Sequence, residues 1–225
     1  RVMPGAEAGK DGSKPPKYVN SPETEVYKKS HTLFGLSRSR SAVQRRNRLL
    51  VVEGYFDVIS LHQAGFAESV ATCGTSLTAE HARIIRPLTH TVIALFDGDE
   101  AGMRAAARSL EIFVEQGIEP KRLNLGQFKD PDEFVQARGP EALETLLRGA
   151  SPVFDLVVDR AIRRFGSTPG GRQDTLVELL PLIRKFPSVS RAKIVETLSR
   201  KLGLAEAIIV EQIGRETQTP APAAK

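Results

Sequence analysis

Hydrophobic residues between positions 49 and 125 gather in short runs separated by longer stretches of mixed polarity. The first run, Leu49–Val52, holds no polar residue and two β-branched valines. A run of this length without alternation predicts a strand covered on both faces, as in a parallel sheet flanked by helices. The pattern continues with a helix over 57–64, a strand over 69–73, a helix over 78–86, a strand over 91–96, a helix over 100–116 and a strand over 122–125. Such alternation implies an α/β fold with right-handed crossovers.

The flanks read differently. Pro4, Pro15, Pro16 and Pro22 make residues 1–22 a loop with one extended piece at Tyr18 and Val19. Residues 23–36 suit a short helix, and 38–48 read as a polar, basic approach to the first strand. From Asp132 onward the strand pattern stops, and 134–148, 153–165, 173–186, 190–202 and 205–216 read as successive helices with glycines at or near the joints. Leu176, Leu179, Leu180 and Ile183 form one apolar stripe. The expected organisation is a basic segment over 1–48, an α/β domain over 49–138, a helical subdomain over 139–217 and a disordered tail over 218–225. No internal repeat is visible.

Composition narrows the class. At 225 residues, 40% hydrophobic and 26% charged, the chain can bury a core, which excludes wholesale disorder. No apolar run approaches the roughly 18 to 20 residues that cross a bilayer, and no signal-peptide stretch follows Arg1. A cytoplasmic protein without membrane contact is expected. The chain does not begin with Met, so it reads as an internal piece of something longer. Cys73 is the single cysteine, and the four histidines are scattered, so neither an intrachain disulfide nor a zinc site is expected. Cys73 reads as a small buried hydrophobe, and His62 and His81 as helix surface or core.

Charge changes sign twice along the chain. Residues 1–50 hold eleven Lys/Arg against four Asp/Glu, residues 51–133 seven against thirteen, and residues 134–225 fourteen against ten. A basic arm beside an acidic centre suits a protein that grips a phosphate backbone and concentrates carboxylates at one spot, although charge runs also make ordinary solvated faces.

Three acidic segments share one placement. Glu53-Gly54-Tyr55-Phe56-Asp57 follows the first strand, Asp97-Gly98-Asp99-Glu100 the third, and Asp130-Pro131-Asp132 comes shortly after the fourth. Ligands of open parallel sheets collect outside the carboxyl ends of the strands, so these acids are expected to converge. Two carboxylates about 4 Å apart repel by roughly 4 kcal/mol at an effective dielectric near 20, so a cluster needs cations. Magnesium fits, being a hard ion usually held by one or two carboxylates together with substrate phosphates. The glycines allow tight turns and leave space for a phosphate. Taken singly, Asp-Gly-Asp also makes an ordinary turn and Asp-Pro-Asp an ordinary helix start.

Together these residues resemble a known family. Glu-Gly-Tyr-Phe-Asp after Leu-Val-Val, then Asp-Gly-Asp-Glu-Ala-Gly, then Asp-Pro-Asp, is similar to the Toprim domain of bacterial replicative DNA primases of the DnaG type. Lys17-Tyr18-Val19-Asn20-Ser21-Pro22-Glu23-Thr24, Leu33-Phe34-Gly35-Leu36 and Gly74-Thr75-Ser76 extend the likeness over residues 17 to 156. The resemblance implies a Toprim-type parallel sheet flanked by helices, followed by a C-terminal helical subdomain. It implies a DNA-directed RNA polymerase that makes short RNA primers on a single-stranded DNA template from ribonucleoside triphosphates. Glu53, Asp57, Asp97, Asp99, Asp130 and Asp132 fall at the family's metal positions, for Mg2+ or Mn2+. Glu53 matches a metal ligand or general base, Asp97 and Asp99 the main ligands, and Lys17 and Lys29 basic positions near nucleic acid or nucleotide. The replicative helicase is an implied partner through a domain not recognisable in these residues, and the zinc ribbon and first half of the polymerase core with which full primases begin are not recognisable in them either.

Other readings stay open at this stage. A Toprim topoisomerase or nuclease shares the fold, but its tyrosine nucleophile would have to come from Tyr18, Tyr27 or Tyr55, and Tyr55 reads as packing. A phosphatase with a nucleophilic Asp97 leaves Glu53 and Asp57 without a role. A non-catalytic nucleic-acid-binding fragment would show no carboxylate-linked metal site.

Overall fold

The computed structural model describes residues 21–95 and 100–215, residues 100–103 through their backbone alone. Lys17, Asp97 and Asp99, the extended piece at Tyr18 and Val19 and the tail 218–225 lie outside the described residues.

Burial from two sides builds the sheet. Every residue of β2 (Leu49–Val52), β3 (Ser69–Thr72) and β4 (Val92–Leu95) is buried. Successive side chains of a strand point to opposite faces. Leu50 and Val52 therefore pack with Val58 and Leu61 of α2 (Tyr55–Gln63), Phe134 of α5 (Pro131–Arg138) and Leu143 of α6 (Pro140–Arg148). Leu49 and Val51 meet Val43 of α1 (Leu36–Arg46), Ala82 and Ile85 of α3 (Ala79–Ile85) and Phe113 of α4 (Glu100–Glu115) on the other face. Each of these Val, Leu, Ile and Phe side chains contributes about 1.5 to 3 kcal/mol when fully buried.

The strand order is β1-β3-β2-β4-β5-β6. The inner four strands, with β5 at Lys121–Arg122, run parallel as expected. The outer two correct the expectation of a purely parallel sheet: β1 (Leu33–Phe34) and β6 (Ser151–Pro152) pair antiparallel to β3 and β5. β6 also shows that strand structure does not end at Asp132.

Other boundaries move for physical reasons. The helix expected over 23–36 is a single 3-10 turn at Lys29–His31 followed by β1. The basic approach over 38–48 is instead the helix α1, whose buried face carries Ser39. That serine donates to the Ser69 carbonyl at 2.8 Å, so a polar residue occupies a core position and hides the apolar stripe. The helix expected over 134–148 is two, because Gly139 at φ 80° and Pro140 break it. The strand expected over 122–125 shrinks to two residues, although Leu123 N–H still donates to Ala94 O at 3.1 Å.

The helical region is a second core. α7 (Val153–Phe165), α8 (Pro169–Lys185), α9 (Ser188–Leu202) and α10 (Glu206–Gly214) bury Leu156, Leu176, Leu179, Ile183, Leu198 and Ile209 together. α4 serves both cores, giving Phe113 to the sheet and Leu110 and Val114 to the helices. α8 starts at Pro169, a turn earlier than expected, with Thr168 as its cap. Gly171 lies where a Cβ would stand 2.2 Å from Phe165 O, so only glycine permits this helix crossing. Cys73 is buried, and His81 is a buried cap residue that accepts from Thr78 N–H at 3.2 Å.

An ion network closes the amino ends of β2 and β3. Arg48 Nη1 and Nη2 grip Glu144 of α6 at 2.8 and 2.6 Å, and its Nε donates to Glu68 at 2.9 Å. Arg46 adds contacts to Glu68 at 3.2 Å and to Gly65 O at 3.1 Å. The Glu68 side chain is fully buried. Two arginines of the basic arm, the largely covered Arg48 and the exposed Arg46, are therefore engaged in neutralising Glu68.

Arg48→Ala takes the bidentate partner from Glu144 and leaves the buried Glu68 with Arg46 alone, so it should cost about 3 kcal/mol in urea unfolding. The Arg48 hydrogen bond holds the Glu144 carboxyl below its ordinary 4.5. The stabilisation from that depression is present above pH 4.5 and is lost as pH falls through the lowered native pKa. Unfolding free energy of Glu144→Gln should show a shallower fall than the parent below pH 4.5.

Candidate active site

β2 and β4 end level with each other, because Val52 pairs with Leu95 in parallel register. Neighbouring strands lie about 4.8 Å apart, so Val52 and Leu95 end their strands side by side and Glu53 follows at this edge. Glu53 is exposed at this edge. The first turn of α2 follows, and there the Asp57 carboxylate accepts the Gly54 backbone N–H at 3.0 Å. A Cβ at Gly54 would stand 2.7 Å from that carboxylate, so a larger residue here would have to displace the Asp57 side chain from its capping bond.

Asp130 and Asp132 begin α5. Asp130 is the N-cap, accepting Glu133 N–H at 2.9 Å, with Pro131 in the first turn. The local reading of Asp-Pro-Asp as a helix start is thus what the structure shows for Asp130. Asp132 is half-buried and turned to α2, accepting from Ser60 Oγ at 2.5 Å and from Gln136 Nε2 at 2.7 Å. Ser60 lies three residues after Asp57, so the Ser60–Asp132 bond ties the helix of one acid pair to the helix of the other. Sequence reasoning passed over Ser60 and Gln136. Their only signal was the spacing of Ser60 on the face of Asp57 and of Gln136 on that of Asp132.

Among the described residues, no three Asp, Glu, His or Cys side chains gather closely enough to hold a metal ion. The structure ties α2, which carries Asp57, to α5 through the Ser60–Asp132 bond and sets Glu53 beside the end of β4. Lys29 sits in the 3-10 turn, where its carbonyl receives His81 Nε2 at 3.0 Å. The oxygen-only donor set suits a hard divalent cation, and the capping bonds fix the carboxylates without introducing a softer ligand.

Tyr55 packs against Phe34 with ring centroids 4.8 Å apart. Burial, reinforced by Cys73 and Tyr27, pushes its phenol up to about 12. Such a phenol stays protonated at neutral pH, which argues against its use as a nucleophile.

Comparison with known proteins identifies the architecture. A Toprim-like family model matches residues 50–135, and the N-terminal domain of the DNA primase catalytic core matches residues 3–40. The DNA primase of Escherichia coli K12 is 37% identical over 207 residues, 90% of this chain and 36% of the relative. The structure of a DnaG catalytic core superposes with a TM-score of 0.78 at 36% identity, covering 88% of this chain and 66% of that one.

The chain belongs to the DnaG-type DNA primase family.

Another member, a DnaG primase catalytic domain bound to single-stranded DNA, matches with a TM-score of 0.79 at 36% identity over 88% of this chain and 64% of that one. This primase-family chain spans about a third of the length of the curated relatives it matches. The Toprim-like match runs from β2 into α5 and contains all six acids, while the N-terminal match contains Lys17 and Lys29.

Capping and charge can be separated by substitution. Asp130→Ala should lower unfolding free energy by about 1 kcal/mol, whereas Asp130→Asn, an equally good cap, should leave the thermal midpoint unchanged. Equal destabilisation by both would show that the cap is not what Asp130 contributes to stability.

Proposed function

We propose that this chain is the catalytic centre of a DNA primase, a DNA-directed RNA polymerase that makes short RNA primers on single-stranded DNA. The level exit of β2 and β4 supports this reading, because it sets Glu53 beside the end of β4, the strand that precedes Asp97 and Asp99 in sequence, within a Toprim-like sheet. Glu53, Asp57, Asp97, Asp99, Asp130 and Asp132 are the residues that would hold magnesium or manganese. Bound there, the ion supplies positive charge to the phosphoryl oxygens as a 3′-hydroxyl displaces pyrophosphate from a ribonucleoside triphosphate.

The chain's own groups position that chemistry. The Asp57 and Asp130 caps hold two carboxylates to the starts of their helices, and Ser60 and Gln136 aim Asp132. Glu53 stands at the open edge as ligand or as acceptor of the attacking hydroxyl's proton. Lys17, Lys29 and the exposed Arg38, Arg40 and Arg45 supply sequence-independent, salt-sensitive contact with the template backbone. The single strand named with one relative supports this partner. The replicative helicase would engage through a part of the protein outside this chain. Among the described residues no helix is long and apolar enough to cross a membrane.

Asp97→Asn or Asp99→Asn in the full-length protein should reduce magnesium-dependent primer synthesis on single-stranded DNA by about 10²-fold or more. Affinity for the DNA should not fall. Normal priming by either variant would overturn the assignment.

A further inference from the structure

Two adjoining clefts lie along the helical region. The larger, about 560 Å³, runs from Arg122 and Asn124 past Arg163 to Lys201. The smaller, about 240 Å³, lies where the ends of α7 and α9 meet the start of α8, and Arg172, Arg200 and Lys201 line it. Lys201 borders both clefts.

The larger cleft starts at the edge of the sheet that carries the acids. Leu123 N–H donates to Ala94 O, which places Asn124 level with the exit of β4. A strand leaving the acidic site therefore meets this cleft within the same sheet edge.

The smaller cleft has the chemistry of an anion site. Among the described residues no carboxylate lines it, and three cations do. Its walls include Gly166, Ser167 and Gly203, small residues that let a phosphate approach closely. Arg172 is half-buried and anchored, its Nε donating to Ser167 O at 2.9 Å. Gly203, at φ 63°, ends α9 where a Cβ would stand 3.0 Å from Arg172 Nη1, so glycine preserves the position of the guanidinium tip. Lys201 is held at the boundary by Asp159 at 2.5 Å. The larger cleft adds Arg122 and Arg163, offset by Asp155 and Asp159, and the hydrogen-bonding groups of Asn124 and Ser151. Guanidinium groups favour phosphate oxygens, and cations spread over two joined clefts suit an extended polyanion better than a single small one.

We propose that these clefts hold the phosphodiester backbone of a single-stranded nucleic acid at the helical region, with Arg172 and Arg200 as its main contacts and Lys201 linking the two clefts. The choice of nucleic acid as the polyanion rests on the primase reading; the cleft geometry does not.

Fluorescence anisotropy of a labelled oligo(dT) with the full chain, titrated in KCl, tests this. Each phosphate contact on a single strand contributes about 0.7 to the slope of log affinity against log salt, so Arg172→Ala/Arg200→Ala should lower that slope by about 1.4. Arg200→Ala alone, at an exposed side chain, should lower it by about 0.7 with an unchanged melting curve. Arg172→Lys/Arg200→Lys should recover most of the slope. If the parent chain binds oligo(dT) and the alanine variants match it in slope and affinity, the inference fails while the primase reading stands. Loss of tripolyphosphate binding with unchanged oligo(dT) binding would likewise overturn it in favour of a free-phosphate site. No strand binding by the parent chain would sink the primase reading and this inference with it.

Discussion

Parallel pairing of β2 with β4, locked by burial on both faces, is the constraint on which the rest depends. A slip of one residue would turn Leu49 and Val51 toward α2 and α5 and turn Leu50 and Val52 toward α1, α3 and α4. Both cores would then be mispacked, so the register Val52 with Leu95 is strongly held. The position of Glu53 relative to the end of β4 follows from this hydrophobic packing. Val58 and Phe134 in the same core bring the first turns of α2 and α5 to this edge, and with them Asp57 and Asp132.

The two ends of the sheet treat charge in opposite ways. At the amino ends of β2 and β3, Glu68 is surrounded by Arg46 and Arg48, and Glu144 completes the network from α6. At the carboxyl ends, Asp57 and Asp130 accept backbone amides at helix starts, and Asp132 accepts from a hydroxyl and a side-chain amide. Asp57 and Asp130 sit in first turns, where the positive end of a helix favours a carboxylate, and Asp132 has neutral donors. Glu68 and Glu144 thus meet arginines of the chain itself, while backbone amides, a hydroxyl and a side-chain amide orient Asp57, Asp130 and Asp132.

Much of this was legible in the chain, for identifiable reasons. Leu49–Val52 and Val92–Leu95 carry no alternation, and that pattern alone marks strands buried on both faces. Asp-Pro-Asp announced the start of α5. The rest was hidden by physics that acts across distance. Ser39 satisfies its hydroxyl inside the core, so α1 shows no continuous apolar stripe. β1 and β6 are two residues long and exist through their pairing, with no period of their own. Arg48 looked like part of a nucleic-acid arm because its partners, Glu68 and Glu144, stand 20 and 96 residues away. Ser60 reaches Asp132 across 72 residues, and spacing on one helix could not announce that bond.

The central claim is that acids from separate strand exits share divalent ions. Electron paramagnetic resonance of Mn2+ titrated into the full chain tests it most directly, because bound and free ion are distinguished without any catalysis. The account predicts saturable binding that is lost in Asp97→Asn/Asp99→Asn and weakened in Glu53→Gln, with far-ultraviolet circular dichroism unchanged. Saturable binding that persists undiminished in all three substitutions, or no saturable binding by the parent chain, would contradict it.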